Sequence, residues 1–504
     1  MANHYQNNVA YGFSLAGYTA AIIAFSCVNL TDISGLWDIA QARVCEVISG
    51  LLCAGLMMMI LPSTSDGEAL ITALKQMHTR LLDHATLLLQ DTRNDEIRHA
   101  HEAVIGQILT MNLLRIQAFW SHYRFRRQNN VLNYILHQQL RLTSVLSSLR
   151  RMLLNWPDAP EALYQALTRI MQELAKPDCD KYRLAALLRS ITPASDGDYR
   201  QRAFCQRLRY FCWMYLNVLR WIRQLEQADA DTRFQPPAVS ALASESDSAE
   251  AGWSALRTFS IIVAGCAFWI ATQWTSGASA LTFTAIACVL YASAPSPTGS
   301  ITLLLKTLLW LFAFSVLFKF GVMVQFNQLW QLLAILFPLL LAWLAFQILR
   351  PSSDSRRSRR HIQALRLAFL DQLRQHPHRD QNRFESLIYH KIGQLSNSKD
   401  ETARVWLLRW GVVLLNCSHL VWQLRDWQTD TPILNQYRSE ALHNLQNIMS
   451  LHGVQHRHLD TALDALQGIT EEALSVNSAD ASTLAGLLWR LRCSLAQLKQ
   501  AIPD

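Results

Sequence analysis

The sequence predicts an all-α polytopic membrane protein, and three observations carry this prediction. Hydrophobic residues make up 51% of the 504 residues, and they are concentrated in long runs. Six of these runs hold few charges and reach the roughly 17–21 residues that a helix needs to cross a bilayer. Polar segments lie between them, with apolar residues three and four positions apart, as in amphipathic helices. We therefore expect about six transmembrane helices (2 + 4) and two helical cytoplasmic modules.

The six runs form a pair and then a group of four that follow one another with short turns between them. This crowding favours membrane spans over the buried helices of a soluble protein. The runs cover 9–30, 44–61, 258–274, 279–294, 300–318 and 329–349. The implied divisions are a partial first membrane half (1–62), helical module 1 (63–228), a flexible Ala/Ser/Asp/Glu-rich linker (229–253), a second membrane half (254–350) and helical module 2 (351–504).

Basic residues beside the runs predict the orientation. Arg257 precedes the third run, and the segment SRRSRR follows the sixth at 355–360. The short loops at 31–40, 275–278 and 321–328 contain neither Lys nor Arg. Because basic residues favour the cytoplasmic side, we expect both termini and both large polar segments to be cytoplasmic.

The segment from Arg404 to Trp427 is nearly apolar enough to be a seventh span. As a span it would place Arg409, Asn416 and His419 within hydrocarbon, at a cost of several kcal/mol. We therefore expect a buried helix of module 2 instead.

Signatures of soluble enzymes are missing from the sequence. It has no phosphate-binding glycine loop, no HExxH and no nucleophile elbow, and its ten cysteines form neither a CxxC pair nor a zinc pattern. We expect no enzymatic activity, no cofactor and no metal. The formal net charge of +8 is explained by the basic flanks of the spans, so we expect no nucleic-acid partner.

Ionisable residues in the apolar runs are the candidate site residues, because burying them in lipid is costly. Arg43 and Glu46 lie three residues apart on one helix face, at the start of the second run. They form either a local pair near the interface, or an anion-attracting arginine beside a carboxylate that exchanges a proton. Lys306, about two turns into the fifth run, either extends to the cytoplasmic surface or lines a path for an anion.

The stretch FWIATQWTSGASALTFTAIACVLYASAPSP contains Phe268, Trp269, Trp274, Gly277, Pro295 and Pro297, and YGFSLAGYTAAII contains Gly17 and Tyr18. On physical grounds, the two tryptophans favour the outer membrane–water boundary, and residues 275–277 form a turn between two spans. Together the two stretches resemble the fusaric acid resistance (FUSC) family, which includes the p-hydroxybenzoic acid efflux pumps of Gram-negative bacteria. With the helical modules, the resemblance extends over most of the chain.

The resemblance implies an inner-membrane efflux transporter for small aromatic carboxylic acids or related toxic compounds, driven by the proton gradient. It also implies a periplasmic adaptor subunit of the membrane-fusion type. Because so few spans enclose little space, we also expect a homo-oligomer in the lipid bilayer. The family usually has further spans before YGFSLAGYTAA and between the sixth run and the basic segment. The alternative is therefore a truncated, non-transporting, membrane-anchored interaction protein of the same family.

Overall fold

The computed structural model describes most of the chain between residues 8 and 499, and every regular element in the described residues is an α-helix. The all-α class is thus confirmed. The described ranges are 8–28, 32–60, 65–90, 103–108, 123–193, 198–226, 248–274, 277–292, 301–307, 354–374, 381–395, 400–451 and 456–499, with single residues or short pieces between 110 and 119 and between 299 and 347.

The longer helices are numbered here in chain order. They are α1 (Asn8–Ser26), α2 (Ile33–Ile60), α3 (Ser65–Gln90), α4 (Tyr123–Arg127), α5 (Asn129–Leu154), α6 (Glu161–Leu174), α7 (Lys181–Ser190), α8 (Tyr199–Glu226), α9 (Ser248–Thr272), α10 (Gly277–Ala292), α11 (Asp354–Arg374), α12 (Gln381–Leu395), α13 (Glu401–Asp426), α14 (Pro432–Ser450), α15 (His456–Ser475) and α16 (Ala479–Lys499).

The helices form two compact units, and each unit is built from two distant parts of the chain. Unit 1 comprises Met1–Pro62 and Ser244–Arg356, whereas unit 2 comprises Ser63–Ala243 and Arg357–Asp504. The two membrane halves of the sequence analysis therefore contribute to one unit, and the two helical modules contribute to the other.

In unit 1, α1 packs against α2 and α10, and α10 also packs against α9.

Three described helices are long and apolar enough to cross a membrane, namely Ile33–Met57, Ala251–Thr272 and Glu401–Asp426. Gly12–Ser26 and Gly277–Leu290 are shorter apolar helices. Nine of the 19 residues of the predicted span 300–318, and most of the predicted span 329–349, lie outside the described residues.

Two helices of unit 1 begin earlier than their apolar runs. The α2 helix starts at Ile33 rather than near 44, so most of the predicted loop at 31–40 is helical. Asp32 favours this start, because its carboxylate accepts hydrogen bonds from the backbone and the hydroxyl of Ser34. The α9 helix starts at Ser248, inside the predicted linker, where alanine and glutamate support helix. The remainder of that linker, 229–247, lies outside the described residues.

Unit 2 has a continuous hydrophobic core. At the centre of this core, α5, α8, α13 and α16 pack together. Each contributes side chains that are fully shielded from solvent, such as Leu140, Phe204, Leu414 and Leu488. Burial of such a side chain contributes about 1.5–3 kcal/mol. The segments treated as two modules in the sequence analysis thus share one core, because their apolar faces cover each other.

The α13 helix is the possible seventh span of the sequence analysis, and it lies in the core of unit 2. Its apolar window is 78% buried, which confirms the expected burial. Asn416 is satisfied there, because its amide donates to the Val412 carbonyl at 2.9 Å and its oxygen accepts from Ser144 at 3.2 Å. The helix is apolar on most sides because other helices of unit 2 surround it.

A buried carboxylate links the two parts of unit 2. Glu385 is 3% exposed and accepts two hydrogen bonds from Arg141, from Nη2 at 2.6 Å and from Nε at 3.2 Å. Nε2 of His419 lies 2.7 Å from Oε1 of the same carboxylate. Burial by itself would raise the pKa of Glu385, but the hydrogen bonds and charges of His419 and Arg141 outweigh this effect and lower the pKa to about 2. Arg141 and Glu385 are 244 residues apart, so this ion pair fixes long-range packing.

Replacing Glu385 by Gln should destabilise the protein by about 3–5 kcal/mol, because the substitution leaves the Arg141 charge without its partner in a buried site. The measurement is thermal or denaturant unfolding of the full chain in detergent, followed by tryptophan fluorescence. The control is Glu401→Gln, which removes a 65% exposed side chain 3.8 Å from Arg404. Equal stability of the Glu385 variant and the parent chain would contradict this role.

Buried histidines should make unit 2 acid-sensitive. Burial lowers the pKa of His78 to about 3, and burial together with Arg150 lowers that of His84 to about 4. Since both are near 6.5 when unfolded, the unfolded state binds more protons, and stability falls as the pH drops from 6.5 towards 3. His78→Phe should preserve the stacking on Tyr215, at 4.0 Å between ring centroids, and weaken this pH dependence. Unfolding midpoints between pH 4 and 8 test this, with His443→Phe, at an exposed position, as the control.

Candidate functional site

Arg43 and Glu46 form an ion pair within α2. Nη1 of Arg43 donates to Oε2 of Glu46 at 2.5 Å, across one helical turn. Arg43 follows Ile33 by ten residues, or about 15 Å along the helix axis. The candidate span Ile33–Met57 is 25 residues long, so the pair lies near its middle. The apolar run alone predicts that the pair lies at the start of a span, but α2 begins at Ile33, so the pair lies further inside the helix.

The described residues shield this pair only in part. The Arg43 side chain is 30% exposed and that of Glu46 is 63% exposed. A charge near the centre of a span is costly, which makes such residues candidates for transport roles.

Lys306 lines a cavity of about 330 Å³ in unit 1. The other lining residues are Gly299, Thr302, Leu303 and Gln347. Thr302 is held in place by Trp343, whose indole Nε1 donates to the threonine hydroxyl at 3.0 Å. The cavity combines a cation, hydroxyl and amide groups and an apolar wall, which suits a small organic anion. Its described lining includes neither Arg43 nor Glu46.

A third cation, Arg257, was treated in the sequence analysis only as a marker of orientation. Its side chain is 2% exposed, in the third turn of α9 and inside the candidate span Ala251–Thr272. Nη2 of Arg257 donates to the hydroxyl of Ser254 at 2.9 Å. The sequence does contain a signal for this position. The alanines and the glutamate of SAEAG, before the apolar run, favour a helix that begins ahead of Arg257.

The Trp-rich stretch forms a close helical hairpin between α9 and α10. A Cβ atom at Gly277 would overlap the indole of Trp269, so the ring packs directly on the glycine backbone. The amide of Gly277 donates to the Trp274 carbonyl at 3.0 Å. Gln273 has φ of 50°, a left-handed conformation that ends α9. Trp269 is half-buried here, and its contact with Gly277 gives it a packing role.

The remaining positions of the family pattern are dispersed. Gly17 lies on α1 opposite Val289 of α10, and a Cβ at Gly17 would be 3.9 Å from that side chain. Tyr18 is half-buried, and Phe268 is 44% exposed. Pro295 and Pro297 lie outside the described residues. In the part of the chain that the structure describes, no group of three or more His, Cys, Asp or Glu side chains is arranged to hold a metal.

The model of the "Fusaric acid resistance protein family" (FUSC) matches two overlapping stretches, residues 1–342 and 333–502. Together these stretches cover nearly the whole chain. No solved structure matches the chain significantly.

The chain is 52% identical to the "Uncharacterized transporter YdhK" of Escherichia coli strain K12, over 99% of this chain and 82% of that protein. It is 50% identical to YdhK of Salmonella typhimurium strain LT2, over 99% and 81%. The "p-hydroxybenzoic acid efflux pump subunit AaeB" of Yersinia pestis strain Pestoides F is 23% identical, over 57% and 44%. The first alignment runs over 554 positions, 50 more than the 504 residues here, so that relative has internal segments that this chain lacks.

Gly277→Ala should reduce the amount of folded protein in the membrane, because the added methyl group must displace the rigid indole of Trp269. The measurement is the folded fraction of the detergent-extracted chain by size-exclusion chromatography. Gly252→Ala is the matched control, since a Cβ there meets no atom within 4 Å. Equal folded yields of the two variants would contradict the packing role of Gly277.

Proposed function

Because the chain belongs to the fusaric acid resistance protein family, we propose that it exports small aromatic carboxylic acids or related toxic compounds across the inner membrane. The family and the names of the relatives support an integral inner-membrane transport protein rather than an enzyme. The AaeB similarity supports the substrate class, since that relative is named for p-hydroxybenzoic acid.

The cavity beside Lys306 is the observation that carries this proposal. Its volume of about 330 Å³ fits the lower end of the range for small-molecule pockets. The ammonium of Lys306 would pair with the substrate carboxylate, while Thr302 and Gln347 offer hydrogen bonds to polar ring substituents. Leu303 provides an apolar surface for the ring. Arg257, buried in α9, would add to the positive potential that attracts anions into the apolar helices.

The Arg43–Glu46 pair would couple transport to the proton gradient. Arg43 would attract the substrate carboxylate, and Glu46 beside it would exchange the proton. For export, the proton and the substrate would have to occupy the site in alternation, so that each proton entering from the periplasm is exchanged for a substrate that leaves the cytoplasm. The energy would then come from the inward movement of the proton down its gradient.

The partners that we propose are the lipid bilayer, a periplasmic adaptor subunit and further copies of the chain. AaeB is named a pump subunit, which supports a multicomponent assembly. None of the apolar window of α2 is buried in the described structure, which supports contact with lipid. The basic residues beside the spans support a cytoplasmic location for both termini and for the two segments of unit 2.

Flux of radiolabelled 4-hydroxybenzoate in proteoliposomes of the full chain tests the proposal. A pH gradient should drive transport, and Lys306→Gln should raise KM about 10-fold to 100-fold, because a charged hydrogen bond contributes about 1.5–3 kcal/mol. Lys306→Arg keeps the charge and should retain most of the affinity. Arg209→Gln, at an exposed position in unit 2, is the control. Arg43→Gln should also lose flux, and Glu46→Gln should abolish the response to the pH gradient.

Each result has a distinct meaning. No flux from the unmodified chain would reject transport and favour the membrane-anchored interaction protein. Flux with an unchanged KM in Lys306→Gln would remove the cavity from the substrate path. A pH response that survives in Glu46→Gln would remove that carboxylate from the coupling.

A further inference from the structure

Three arginines from three helices are buried in the core of unit 2. They are Arg151 on α5, Arg207 on α8 and Arg490 on α16, with exposures of 5%, 4% and 4%. The three helices pack on one another. Arginine is almost always charged, and it is rarely buried to this extent without a counter-ion.

The hydrogen bonds of these arginines go to neutral groups. Arg151 donates from Nε to the Ser147 carbonyl at 3.0 Å and from Nη2 to the Ser147 hydroxyl at 2.8 Å. Arg490 donates from Nη1 to the side-chain oxygen of Gln423 at 3.0 Å. The guanidinium of Arg207 lies over the Tyr210 ring, 5.7 Å from its centroid. None of these partners carries a negative charge.

Each arginine also has a buried nitrogen without a hydrogen-bond partner in the described structure. These nitrogens are Nη1 of Arg151, Nε of Arg207 and Nε of Arg490. A buried polar group that makes no hydrogen bond costs about 1–3 kcal/mol, and more when it is charged. Three such donors in one core would be satisfied by an acceptor from outside the protein chain, such as an ordered water or an anion.

The three arginines lie in one packed region, where their three helices contact one another and enclose all three side chains. Burial and, after it, the charge of Arg207 lower the pKa of Arg151 to about 10. Burial also lowers the pKa of Arg207 to about 10. The pKa of Arg490 is well below its usual range, again through burial and then through Arg207. The charge of Arg207 thus acts on both other arginines.

The buried carboxylates of unit 2 are engaged elsewhere. Among the described residues they are Glu173 and Glu385. Glu173 pairs with Lys176 at 2.7 Å and Arg183 at 3.5 Å. Glu385 attracts Arg207, but its hydrogen bonds go to Arg141 and His419. The nearby thiol of Cys493 supplies no charge at neutral pH, because burial raises its pKa to about 12.

We propose that Arg151, Arg207 and Arg490 form a buried binding site for a small inorganic anion of the size of chloride. A spherical anion accepts hydrogen bonds from several directions, so donors on three helices can share it. Its charge offsets the repulsion between the guanidinium groups and links α5, α8 and α16. The site lies in unit 2 and is independent of the transport path proposed for unit 1.

Thermal unfolding of the full chain in detergent tests the site. Replacing gluconate by chloride at constant ionic strength should raise the unfolding midpoint in a saturable way, because a ligand that binds only the folded state stabilises it. Bromide and nitrate should act like chloride. Arg207→Met should remove the chloride effect. Arg209→Met, two residues along the same helix but exposed, should keep it. A chloride effect that is absent from the parent chain, or unchanged in Arg207→Met, would overturn the proposal.

If Arg207→Met does not fold, a direct measurement of chloride binding tests the site instead. Equilibrium dialysis of the unmodified chain with radiolabelled chloride should show saturable binding that bromide displaces. Lys306→Gln should retain this binding, which separates the site from the cations of unit 1, and Arg151→Met should lose it. No saturable binding, or binding lost only in Lys306→Gln, would contradict the site.

Discussion

The carboxylate of Glu385 is the contact on which the arrangement of unit 2 depends. It meets Arg141 from the first part of the unit and His419 from the second, and almost no solvent reaches it. A charge in such a position is tolerated only with good partners, so α5, α12 and α13 are held in one orientation. That orientation brings Asn416 to Ser144 and lets α13 bury an otherwise membrane-like surface. The nearby arginines of α8 and α16 are enclosed by the same packing.

Local pattern was sufficient for part of the structure. Apolar runs and helical periodicity predict the all-α class, and the polar residues Asn416 and His419 in an apolar helix predict its burial in protein. Spacing alone also brings Arg43 and Glu46 to one face of α2. The helix starts were harder, because hydropathy marks only the apolar part of a helix. Asp32 caps α2 ahead of its apolar run, and Ser248 begins α9 within a polar segment.

The remaining features require tertiary contacts. Arg151, Arg207 and Arg490 are far apart in sequence, and each has the local context of a solvated helical arginine. Only the packing of α5, α8 and α16 makes them neighbours in a buried site. The cavity at Lys306 likewise needs Gln347, which comes from a different apolar run. Charges in this chain thus fall into two groups, those within apolar helices of unit 1 and those enclosed by the core of unit 2.

Because unit 2 is formed from two separate parts of the chain, its helices are synthesised at two different times. Its core needs side chains from both Ser63–Ala243 and Arg357–Asp504, with the second part of unit 1 between them in the chain. The ribosome therefore delivers the apolar helices α9 and α10 before unit 2 can close. Until then α5 and α8 present uncovered apolar faces, a state that is prone to aggregation. The core of unit 2 can therefore be completed only after Arg357–Asp504 has been synthesised.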